Sequence, residues 1–148
     1  MGNQLLDYFS RSALADPTTD ELRLAIGFGE NLERLRVKLD APIYLSSACR
    51  SPTHNAKVGS HPRGLHLIVN GHRGTGGTCA IDAVATEGEY RAKIVMQALD
   101  RDWSVGVASN FIHVDQRPAR IASRGSRYWA SRVSVALHND SIRGETTF

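Results

Sequence analysis

Residues 78–85 read TCAIDAVA. Small and branched residues crowd this stretch, and strand alternation puts Ala80, Asp82 and Val84 on one face and Cys79, Ile81 and Ala83 on the other. It reads as a buried strand with a carboxylate in its middle. A charge so placed is costly unless something pairs with it. The partner for Asp82 is an arginine, a backbone cap or a cation.

Outward from this strand the pattern alternates between sheet and helix. Upstream, LHLIV (65–69) is a short strand candidate joined to it by the glycine-rich turn NGHRGTGG (70–77). SPTHNAKVGSHPRG (51–64) has the chemistry of a loop, and IYLSSAC (43–49) reads as a strand. Thr18 and Glu21 have capping-box spacing, and Leu24, Phe28, Leu32, Leu35 and Leu39 follow as an amphipathic stripe. These predict a helix from Thr18 to Leu39 after a short lead-in.

Downstream, a second helix is predicted from Thr86, with Glu89 at capping distance and Tyr90, Ile94, Val95, Ala98 and Leu99 on its apolar side. WSVGVA (103–108) and FIHVDQ (111–116) are strand-like and separated by SN. The last thirty residues turn rich in Ser and Arg, with RVSVALH (132–138) as a candidate edge strand and a disordered end. The expectation is an α+β fold, a small antiparallel sheet flanked by helices. A principal domain would span residues 1–120, with a basic extension over 121–148.

The 148 residues are 41% hydrophobic and 22% charged, ordinary for one globular domain with its own core. The net charge of +3 and pI of about 9.1 suit an anionic partner without choosing between nucleic acid and wall polymer. Arg117, Arg120, Arg124, Arg127 and Arg132, with Tyr128 and Trp129 among them, read better as a solvated face than as a nucleic-acid surface. Cys49 and Cys79 read as buried thiols, with one bridge open to them if their strands are neighbours. Neither a secretory leader pattern nor a membrane-spanning run is present, so the expectation is a chain made in the cytoplasm.

Two of the six histidines sit where a strand would aim them, His66 in GLHLI and His113 in FIHVDQR. With Asp82 they make two imidazoles and a carboxylate, a common catalytic zinc set that leaves one coordination position open. From spacing alone the commoner reading of such a histidine is a satisfied core or surface residue, and such an aspartate can simply accept an arginine.

Three ordered motifs favour the metal. SSACRSPTHNAKVG, GTCAIDAV and FIHVDQR resemble segments of the M15 peptidases, in the small phage and bacterial branch related to D-Ala-D-Ala carboxypeptidases. The resemblance implies a hedgehog/DD-peptidase-like fold and Zn²⁺ held by His66, Asp82 and His113. His66 is favoured over its rival His72 because His72 lies in the glycine-rich turn, while the position the family motif gives its histidine holds Thr75. It further implies hydrolysis of peptidoglycan stem peptides by an endolysin or murein peptidase, acting on the wall after release or within a virion.

Arg50 would bind a substrate carboxylate or an oxyanion, its alternative being a salt bridge to Asp82; Arg117 would be a rim cation or a partner of Asp115. The family's catalytic carboxylate falls at Asn110, which cannot act as a base. Asp115 is therefore the candidate base, with a role in holding a ligand imidazole as its alternative. His54 and Asn55 are expected to brace the loop. The same departures suit a second reading, an inactive zinc-binding domain of the same fold.

Overall fold

A computed structural model describes residues 6–69 and 76–116, and the backbone of a strand at 133–135. Its elements are α1 (Arg11–Leu14), α2 (Phe28–Leu39), β1 (Leu45–Ser47), α3 (Pro52–Lys57), β2 (Ala80–Val84), α4 (Gly88–Asp100), β3 (Ser104–Val107), β4 (Phe111–Asp115) and β5 (Val133–Val135). The fold is α+β, as expected. The sheet order is β1-β2-β4-β3-β5. The first four strands pair antiparallel, and β5 joins β3 in parallel at the edge.

Period-two alternation divides the central strands as the sequence foretold. Ile81 and Ala83 of β2 and Ile112 and Val114 of β4 are fully buried. They share a core with Phe28, Leu32 and Leu35 of α2 and Ile94 and Ala98 of α4. The Phe28 and Trp103 rings, 5.8 Å apart between centroids, close one end of it. Cys49 and Cys79 are buried and form no disulfide. No described helix is long and apolar enough to cross a membrane.

Four local expectations are corrected. The long helix expected from Thr18 is α2, which begins at Phe28, after Gly27 in the left-handed region at φ 81°. Thr18 and Thr19 do not cap a helix; their N–H and O–H groups all donate to the buried Asp16 carboxylate, at 2.6–3.2 Å. The other Asp16 oxygen accepts from Ser51 N–H at 3.0 Å. Burial alone would raise the Asp16 pKa, but these bonds outweigh it and hold the carboxyl well below its usual range.

The expected loop at 51–64 contains α3, capped by Ser51 Oγ accepting from His54 N–H and started by Pro52. LHLIV forms no strand, only a parallel bridge between Arg50 and Leu67. Two backbone bonds close that bridge, Arg50 N–H to His66 O at 2.8 Å and Ile68 N–H to Arg50 O at 3.0 Å. The second long helix starts two residues late because Glu87, not Thr86, caps it.

The start of β2 is fastened to the N-terminal segment. Thr78 bridges Leu24, donating its N–H to Arg23 O at 2.8 Å and accepting from Ala25 N–H at 2.9 Å. Gly77 allows the approach, since a Cβ there would lie 2.7–2.8 Å from the Leu24 and Ala25 backbone. Gly77→Ala is therefore expected to destabilise the fold by about 1–3 kcal/mol in urea denaturation, an overpacking cost. An unchanged midpoint would contradict this packing.

Candidate metal centre

Register brings the first two site residues together. Asp82 of β2 lies directly opposite His113 of β4. Side chains so paired leave the sheet on one face with their Cβ atoms about 5 Å apart. His66 arrives from the loop and is fixed through its backbone: its carbonyl accepts from Arg50 N–H and from Thr78 Oγ, both at 2.8 Å. The strand expected to hold His66 is thus replaced by a clamp between residues 50 and 78.

The three side chains meet in one place. Asp82 Oδ1 lies 3.1 Å from His66 Nε2 and 2.9 Å from His113 Nδ1, and those two nitrogens are 3.2 Å apart. All three residues are buried.

The outer ring atoms decide which protons are present. His66 Nδ1 faces the Ala48 carbonyl at 2.7 Å, and a carbonyl only accepts, so Nδ1 carries the hydrogen. His113 Nε2 faces Asp115 Oδ2 at 3.0 Å and donates to it. In the neutral rings both remaining nitrogens present lone pairs to one another and to the Asp82 oxygen. Three electron-rich atoms converging in a buried site require a cation or a proton between them.

The donor set fits zinc. Ligand atoms about a tetrahedral zinc with bonds of about 2.0–2.1 Å stand about 3.3 Å apart, close to the observed separations. Asp82 offers one oxygen only, because Arg50 Nη2 donates to Oδ2 at 3.0 Å. The buried carboxylate thus has an arginine on one oxygen and a candidate cation site at the other.

The chain matches the family model described as Peptidase M15 over residues 11–115. It belongs to the M15 peptidase family. No curated protein and no solved structure matches it significantly. Membership makes this a metallopeptidase fold with a buried His-Asp-His candidate metal site, and peptides its substrate class.

Other sequence-predicted residues fall around the M15 site as follows. Asp115 is buried on the outer nitrogen of His113, on the side turned from the cluster. Arg50 donates Nε to Ser47 Oγ at 2.8 Å and Nη1 to Ser60 Oγ at 3.0 Å, besides its bond to Asp82. It also lines the cavity above the cluster, a space of about 700 Å³. Asn55 braces the loop as expected, donating Nδ2 to His61 O at 2.9 Å. The His54 ring does not: its Nδ1 is buried with no partner among the described residues, and the residue lines the cavity. His72 and Arg117 lie outside the described residues.

Sequence reasoning missed the Ser47 and Ser60 hydroxyls, the Ala48 carbonyl and Arg91. Arg91 donates to the carbonyls of Ala85, Ala108 and Ser109 and so fixes the β3–β4 turn that carries Asn110. Val84 and Phe111, opposite each other in register, make an apolar step on the same wall. None of these has a spacing signal; each depends on the register of distant strands.

The electrostatics match a cation site. Burial opposes the ionised form of Asp82, but His66 and His113 outweigh it and hold its pKa well below the carboxylate range. Burial pushes the His66 imidazole down, against the pull of Asp82. Burial also opposes a charged His113, yet the hydrogen bonds to Asp115 and Asp82 prevail and raise it from 6.5 to about 9. In metal-free protein the stabilisation from charged His113 is complete below pH 6.5 and lost as pH rises through about 9.

A metal ion must displace that proton. Zinc binding at pH 7.5 is expected to release about one proton per ion, read as the slope of calorimetric enthalpy against buffer ionisation enthalpy. A slope of zero would contradict a protonated His113 in the metal-free site.

Proposed function

We propose that the protein is a zinc-dependent peptidase that hydrolyses peptide bonds in bacterial peptidoglycan. The observation that carries the reading is the convergence of His66 Nε2, Asp82 Oδ1 and His113 Nδ1 among residues that line one cavity, in a chain of the M15 family. When bound there, zinc supplies Lewis acidity, polarising a peptide carbonyl and lowering the pKa of water to about 7.

The chain's own residues do the rest. Asp115 holds the His113 ring in the tautomer that leaves Nδ1 free, so its role is to orient a ligand. Arg50 fixes Oδ2 of Asp82, leaving Oδ1 to the cluster, and lines the cavity, where a guanidinium suits a carboxylate or a developing oxyanion. The apolar step of Val84 and Phe111 suits small side chains such as the alanines of stem peptides. Arg117 is proposed as a rim cation. Acting on the wall, the protein would work outside the membrane that encloses its site of synthesis, as an endolysin or a virion component does.

One observation favours a second reading. The cavity wall offers no carboxylate besides Asp82 among the described residues, and Asn110 stands where the family motif has an acid. A metal-binding domain that no longer turns over would look the same. Purified murein distinguishes the two. The peptidase reading expects new amino and carboxyl termini in the digest, abolished by chelation and restored by zinc. Asp115→Asn is expected to weaken zinc binding or activity about 10–100-fold. A protein carrying a full equivalent of zinc with no new termini at any pH would leave only the inactive domain.

A further inference from the structure

His54 is the feature of the cavity that the fold does not use. It sits in the first turn of α3, its backbone N–H donating to Ser51 Oγ at 3.2 Å. Ser51 is in turn held by Asp16 Oδ1 at 3.0 Å, so the turn that carries His54 is anchored. Its ring is another matter. His66 and His113 have their outer nitrogens tied, to Ala48 O and Asp115 Oδ2. His54 Nδ1 is buried yet without a partner among the described residues, and such an atom calls for an explanation.

Peptide hydrolysis needs a group that moves a proton. As the attacking water forms its C–O bond it must lose a proton, and as the C–N bond breaks the leaving nitrogen must gain one. The titratable side chains on the described cavity wall are Arg50, His54, His66, Asp82 and His113. Three of these are the metal set. Arg50 remains charged at any working pH. Asn110 has no basic atom, and Asp115 is turned to the far side of His113.

We infer that His54 is the catalytic residue whose Nε2, the ring nitrogen other than the shielded Nδ1, takes the proton from the attacking water and delivers it to the departing amine. This rests on the peptidase reading. The balance closes without a further reactant: water is split between the new carboxyl and amino termini, and the imidazole returns neutral. An imidazole both accepts and donates a proton, as this work requires.

The test uses zinc-loaded full-length protein on purified murein, with His54→Ala and His54→Gln. Both variants are expected to retain zinc and the melting temperature, to lose kcat about 10²–10⁴-fold and to keep KM nearly unchanged. Added imidazole should restore part of the His54→Ala rate. A readout independent of turnover is the His54 ring signal in NMR, expected to shift when a phosphinate dipeptide binds the wild-type protein. If the variants keep wild-type kcat, or the ring signal stays still, the inference is overturned while the peptidase reading stands. Should wild-type protein itself fail to cut murein, the reading falls and this inference with it. If a variant loses zinc, the wild-type NMR titration alone decides.

Discussion

The structure turns on the two oxygens of Asp82. One is taken by the Arg50 guanidinium, and the other faces His66 Nε2 and His113 Nδ1, with a proton or a cation between them. A carboxylate buried in the centre of a sheet is tolerable only under such double engagement. Everything that positions the site can be described by what each element contributes to those two contacts. Pairing of β2 with β4 supplies His113; the bridge between Arg50 and Leu67 supplies both Arg50 and His66.

The rigid and the irregular parts of the chain divide this work unevenly. Two ligands come from adjacent strands, whose register leaves little freedom. The third comes from a segment with no regular structure, held by four backbone or hydroxyl contacts to residues 50, 78 and 79. Asp16 extends the same logic outward, binding the N-terminal turn and the cap of α3 into one node. Stability and site geometry are therefore coupled: loosening the N-terminal segment loosens the wall that bears Arg50 and His54.

Legibility in the sequence followed the range of the interactions. TCAIDAVA and FIHVDQ announced their strands through period-two alternation, and with them the facing of Asp82 and His113. The stripe of Phe28, Leu32, Leu35 and Leu39 announced α2. Its start was misread because a capping box and an aspartate-centred turn use the same residue types, and Asp16 prevails by offering four charge-assisted bonds. His66 was found by motif resemblance, yet for the wrong local reason, since a clamp and not a strand holds it. Ala48 O, Ser47, Ser60 and the cavity-facing His54 were invisible, being defined by where distant segments come to rest. What the sequence held most clearly was the donor set; what it could not hold was which nitrogen faces inward.

X-ray absorption at the zinc edge of the loaded protein, with anomalous diffraction from its crystals, tests the convergence of lone pairs most directly. The account predicts one ion bonded to His66 Nε2, His113 Nδ1 and a single Asp82 oxygen, with nitrogen bonds of about 2.0–2.1 Å and an open position toward the cavity. Zinc bound elsewhere, or bound through the outer nitrogens that face Ala48 and Asp115, would contradict it.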